Sequence, residues 1–151
     1  VGCIVYAVLS KAEKGDLAEL GFIYEVKQRR LGVILLPYGN THPYDVAVDI
    51  GSKILKIQIK SAHVKTIRKT NGRGYYVVSC GHHGGENRNK QPYSVGDFDI
   101  LAATVIPLHT WYIIPADEAI LRTTINLYPS ECTKANGGLW EKYRDRWDLL
   151  S

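Results

Sequence analysis

The chain has 151 residues, 45% apolar and 23% charged, with 14 glycines, 6 prolines and a formal net charge of +4. A chain of this length and composition buries enough apolar surface to fold as one domain without disulfides or metal, which excludes a disordered or collagen-like polymer. No apolar run approaches the roughly 20 residues of a membrane-spanning helix, and the three cysteines, Cys3, Cys80 and Cys132, odd in number and far apart, fit a reducing compartment.

Residues 1–10 are apolar, lack a basic leader and run into a helix start, so they read as part of the fold. Ser10 and Glu13 fit a capping box. Leu17, Leu20, Tyr24 and Leu31 then recur at helical spacing, which predicts a helix over about 11–30 with Gly32 as its stop. Residues 33–36 read as a short buried strand ended by Pro37, and 38–43 as a loop.

Two alternating runs flank Gly51-Ser52, a pair suited to a tight hairpin turn. With the turn there, Val48 faces Leu55, Val46 faces Ile57 and Asp45 faces Gln58. Facing residues share one side of the sheet. Lys60, two residues beyond Gln58, lies on that side too. One face is therefore Val/Leu/Ile, and the far end of the other gathers Asp45, Gln58 and Lys60. A one-residue slip would bury all three polar groups, so the register is strongly specified.

Further on, residues 70–74 predict a turn, 75–80 a strand, and 81–90 a mobile loop. Residues 98–106 and 111–114 read as two strands, 116–121 as a short helix. Leu139, Trp140, Tyr143, Trp147 and Leu150 mark the apolar stripe of a C-terminal helix over about 139–150, packed on the core or at a subunit interface. The motif Cys80-Gly81-His82-His83 lacks the paired spacing of a structural zinc site. Asp97 and Asp99 fit loop-amide acceptors.

Charge is unevenly spread. Residues 53–90 hold nine basic residues against one acid, a local +8 in a chain of net +4. Such a block attracts a phosphate backbone; the alternative is a solvated hairpin surface. A carboxylate, a second oxygen ligand across a hairpin and an adjacent lysine are the parts of a metal-dependent phosphodiesterase. Mg²⁺ prefers oxygen ligands. It polarises a phosphoryl group and acidifies water, while a lysine neutralises developing charge.

Lys14-Gly15…Ala18-Glu19, Pro43-Tyr44-Asp45 and Ile57-Gln58-Ile59-Lys60, in that order, resemble the PD-(D/E)XK nucleases. Tyr93…Gly96-Asp97-Phe98-Asp99 and Trp111-Tyr112-Ile113-Ile114-Pro115 look like their group I intron-associated branch, which includes homing endonucleases. The resemblance implies an α/β fold, with a mixed sheet flanked by helices around a restriction-endonuclease-like core, and a single nuclease domain over 1–151. It implies that Asp45 binds metal, that Lys60 is the catalytic lysine, and that Glu19 binds metal or its water. The Ile59 carbonyl is implied as a further ligand.

Gln58 departs from the pattern, since the family usually has Asp or Glu there. A neutral amide should lower metal affinity, leaving either an active site with fewer charges or an inactive DNA-binding relative. The second core helix expected after the lysine strand has no clear signal. The implied activity is Mg²⁺-dependent (or Mn²⁺-dependent) cleavage of double-stranded DNA by a homing endonuclease, with a junction resolvase as the alternative. One active centre per chain implies a homo-oligomer, dimer or tetramer, to cut both strands. The implied location is cytoplasmic and nucleoid-associated. The expected DNA contacts are Lys56, His63, Lys65, Arg68, Lys69, Arg73, Arg88, Lys90 and Tyr93.

Overall fold

The computed structural model describes residues 8–39, 41–66, 74–83, 90–129 and 138–151. Helix α1 spans Lys11–Gln28. Ser10 opens it: its hydroxyl accepts from the Glu13 N–H at 3.2 Å while the Glu13 carboxylate accepts from the Ser10 N–H at 2.8 Å. The helix ends one turn before the predicted glycine. Arg30 adopts the left-handed conformation (φ 55°), and the Leu31 N–H returns to the Val26 carbonyl at 3.1 Å, a closing bond of the kind that ends helices. Gly32 has a different task. A Cβ there would lie 2.4 Å from the Asp49 carbonyl oxygen, so the next strand can approach its neighbour only at a glycine.

Among the described residues ten strands follow in chain order: β1 Val33–Leu35, β2 Val46–Asp49, β3 Ile54–Ser61, β4 His63–Thr66, β5 Gly74–Ser79, β6 Gly81–His83, β7 Lys90–Pro92, β8 Ile100–Val105, β9 Thr110–Pro115 and β10 Thr124–Leu127. A five-stranded sheet runs β1-β2-β3-β8-β9, a three-stranded sheet β10-β5-β4, and β6 pairs with β7. The large sheet is mixed: β3 and β8 are parallel and its other pairs antiparallel. The connection from β3 to β8 passes through β4–β7, and none of its described residues is helical. The second core helix expected after the lysine strand has no counterpart among the described residues of this connection. Part of the segment read as a mobile loop, 81–90, is strand at both ends.

The β2–β3 hairpin has the register that its sequence demands, with Val46 opposite Ile57 and Val48 opposite Leu55. The Ile50 N–H bonds to the Lys53 carbonyl at 3.0 Å, and Gly51 takes φ 85°, a conformation costly for other residues. One face of the large sheet packs Val46, Val48, Leu55, Ile57, Ile59 and Ile113 beneath Ala18, Phe22 and Val26 of α1. The opposite face packs Leu101, Ala103, Tyr112 and Ile114 against Val78, Ile125 and Leu127 of the three-stranded sheet. A short helix, α2, covers Ala116–Ala119.

The predicted C-terminal helix is absent. Two 3₁₀ turns, Glu141–Tyr143 and Trp147–Leu150, stand in its place. Between them Arg144 is extended and bridges Tyr112, Asp145 takes φ 50°, and the Asp145 N–H donates to the Trp111 carbonyl at 2.9 Å. The cause is the exposed edge of β9, whose unpaired backbone groups must find partners. Wrapping that edge splits the apolar stripe. Trp140 and Tyr143 enter one core, Trp147 and Leu150 the other. Among the described residues, no helix is long and apolar enough to cross a membrane.

Candidate active site

Asp45 immediately precedes β2, and its N–H donates to the Ile57 carbonyl across the hairpin at 2.9 Å. This pins the backbone where the carboxylate meets β3. Asp45 Oδ2 accepts two bonds, from the Ile59 N–H at 2.6 Å and from Gln58 Nε2 at 2.5 Å. The same Gln58 amide lies 3.4 Å from the Ile59 carbonyl oxygen. Gln58 is only 4% exposed, one of few buried polar side chains among the described residues. Burial of an amide is tolerable when its hydrogen-bonding groups are paired. Lys60 follows two residues along β3 on the same face, half-buried.

Glu19 reaches the site from α1, one residue past the buried Ala18. Glu19 and Asp45 line one cavity of about 420 Å³, together with Leu36, Pro37, Gly39, His42 and Tyr44. Desolvation by burial pushes Glu19 above the ordinary carboxylate range, and the charges of Asp45 and Asp16 push the same way, against Lys60. Burial likewise raises Asp45, opposed by the Ile59 N–H and by Lys60. Two acids held above their usual range beside a lysine form a site that gains from a cation. The donors that α1 and the hairpin offer are oxygens: two carboxylates, the Ile59 carbonyl and, if its amide turns, Gln58 Oε1. That set suits a hard divalent ion. Among the described residues no group of three or more His, Cys, Asp or Glu gathers to hold a metal.

The fold agrees with two comparisons. The family model for PD-(D/E)XK endonucleases matches residues 9–149. The chain belongs to the PD-(D/E)XK endonuclease family. A solved bacterial homing endonuclease, I-Ssp6803I, is 30% identical with a TM-score of 0.79, covering 94% of this chain and 93% of its own. The structure of MepB is 18% identical, covers 75% of this chain and 84% of its own, and has a TM-score of 0.41, too low to carry an argument. No curated protein matches. As a member of this family, the chain has the mixed sheet with flanking helices of a PD-(D/E)XK endonuclease.

The structure divides the expected DNA contacts. Lys65 and His63 stand exposed on β4. The Lys56 ammonium donates to the Gly96 carbonyl, and its own N–H donates to Asp99 Oδ2 at 2.7 Å, so this residue ties β3 to the turn before β8. Asp97 Oδ2 accepts the Ser94 N–H at 2.8 Å, the loop-amide role its sequence suggested. Tyr93 corrects the sequence expectation. It is 7% exposed, edge-on to Phe98 at 5.0 Å, and belongs to the core. Its desolvated phenol is pushed well above the usual range, with the Asp45 charge adding to the shift. Arg68, Lys69, Arg73 and Arg88 lie outside the described residues; Lys90 opens β7. Sequence reading missed His42 and Tyr44 as cavity walls. Their signal was position alone, in a turn-rich segment leading directly into Asp45.

Proposed function

We propose that this protein is a site-specific double-stranded DNA endonuclease of the homing type, using Mg²⁺, with Mn²⁺ as a substitute, and acting as a homo-oligomer inside the cell. The observation that carries the reading is the convergence of Asp45, Gln58 and the Ile59 backbone on one point of the hairpin, with Lys60 on the same strand face and Glu19 in the same cavity. The 30% identity to a homing endonuclease over nearly the whole chain supports the finer assignment.

In this reading Asp45 and Glu19 hold the cation, with the Ile59 carbonyl and Gln58 as neutral ligands. A bound divalent ion polarises the phosphodiester and acidifies water. Lys60 offers three N–H donors and a positive charge where negative charge builds on the phosphate. The Ile59 N–H and the hairpin backbone hold Asp45 in place, so little reorganisation is needed on binding. The basic segment 53–90 attracts the duplex, and a two-stranded ribbon such as β4–β5 has the width of the major groove. A single centre cuts one strand, so a second copy serves the other.

Gln58 favours one competing reading. Its neutral amide donates to Asp45 and adds no charge for a cation, as suits a DNA-binding relative without catalysis. Incubation with a duplex library carrying intron-insertion-type targets, with and without Mg²⁺, separates the two. Cleavage at one site that requires Mg²⁺ supports the endonuclease; tight binding with no product at any Mg²⁺ or Mn²⁺ concentration supports the inactive relative. A preference for four-way junctions over linear duplex would assign a resolvase.

A further inference from the structure

The cavity holding Glu19 and Asp45 contains one nitrogen-bearing side chain, that of His42. It lies outside the Glu19, Asp45, Gln58 and Lys60 set. His42 sits three residues ahead of Asp45, and its imidazole is exposed to solvent. Its ring centroid lies 5.4 Å from that of Tyr44, with the planes at 42°. Tyr44 is half-buried and packs against the core, so the histidine rests on an anchored ring rather than on a free loop. Leu36 and Pro37 contribute an apolar wall.

A phosphodiester entering this space meets two carboxylates. Like charges repel, and a cation bound between them relieves part of that repulsion. A neutral imidazole always carries one ring N–H, so His42 offers a donor whatever its protonation state. Donors aimed at a phosphate from a preorganised wall are worth most where water is partly excluded.

We propose that His42 contacts the substrate, one ring N–H donating to a non-bridging oxygen of the phosphodiester in this cavity, with Tyr44 holding the ring in position. The proposal rests on the nuclease reading above and extends it by one residue outside the Asp45–Gln58–Lys60 set.

The experiment compares wild type, His42→Ala and His42→Gln in single-turnover cleavage of a target duplex. Lys60→Ala serves as the inactive control, and duplex binding is measured with Ca²⁺ in place of Mg²⁺. His42→Ala is expected to cut about 10-fold more slowly, less than the roughly 100–1,000-fold that loss of an enclosed donor costs, because His42 is exposed. Gln keeps an N–H donor and should recover part of the rate. Free imidazole added to His42→Ala should recover part as well. Mn²⁺ affinity without DNA and Tm should stay at wild-type values, because the role is toward substrate.

Wild-type cleavage by His42→Ala would overturn the proposal. So would a fall in Mn²⁺ affinity or Tm matching the lost rate, since either would make His42 a metal ligand or a structural residue. A wild type that binds DNA without cutting defeats the nuclease reading instead. The contact is then judged on Ca²⁺ binding alone: weaker binding by His42→Ala upholds it, and equal binding overturns it.

Discussion

Asp45 and Gln58 meet across the β2–β3 hairpin, the glutamine amide donating to the same carboxylate oxygen that receives the Ile59 N–H. The carboxylate is therefore well bonded and still held above its ordinary pKa, because burial outweighs the Ile59 N–H and the Lys60 charge that oppose it. Such an acid destabilises the fold when charged.

Asp45→Asn tests that balance. An amide oxygen can still accept both bonds, while the buried charge is gone. A carboxylate whose folded pKa is raised contributes stability below its unfolded pKa and loses it as pH rises through the folded value. Without metal, the variant should therefore match wild type in acid and exceed its Tm by a few degrees at neutral pH. It should also lose cleavage. Thermal melts at two pH values check the first expectation, and equal melting at neutral pH would refute it.

Replacing Gln58 should separate the charge of the site from its geometry. Gln58→Glu adds a negative charge beside Asp45, which should lower the Mg²⁺ concentration needed for cleavage while destabilising the metal-free fold. Gln58→Ala leaves a small cavity, removes the oxygen and should cost more activity than the Glu variant at every Mg²⁺ level. Cleavage rate against Mg²⁺ for the three proteins decides it. An Ala variant as active as wild type would remove Gln58 from the site.

Protons and the cation compete for Glu19 and Asp45, both raised by burial. At low Mg²⁺ the acid limb of the cleavage profile should lie above the ordinary carboxylate range. It should move to lower pH as Mg²⁺ increases, because metal binding releases protons. A limb that stays fixed across a wide Mg²⁺ range would assign it to a different group.

The hairpin was legible in the sequence because its information is local. Alternation, a Gly-Ser turn and the penalty for a register slip all specify the same pairing. The capping box of α1 was legible for the same reason. The C-terminal segment was not, since Trp140, Tyr143, Trp147 and Leu150 have helical spacing, yet the bonds that decide their conformation belong to β9, some thirty residues earlier. Strand β10 gave too short a pattern to be recognised, and it is held by β5. Tyr93 misled in another way. An aromatic at the end of a basic stretch resembles a stacking residue, and only its position against Phe98 reveals packing.

Tyr93 and Lys65 together test where DNA binds. Lys65 is exposed on β4, opposite Tyr75 of β5, on the strand that follows the Lys60 strand after one residue. A lysine contacting one phosphate releases about one counterion, so Lys65→Ala should reduce the slope of log affinity against log salt by about 1, with cooperative folding unchanged. Tyr93→Ala should behave in the opposite way. Emptying an aromatic site in the core costs roughly 3–5 kcal/mol when nothing refills it, so Tm should fall steeply. The salt slope of the protein that still folds should match wild type. Tyr93→Phe keeps the ring and should retain most of the stability, which guards against an alanine variant too unstable to assay. Binding isotherms at several salt concentrations, alongside thermal melts, give both quantities. Weaker DNA binding by Tyr93→Phe with unchanged Tm would return Tyr93 to the DNA surface, and an unchanged slope for Lys65→Ala would move that surface away from β4.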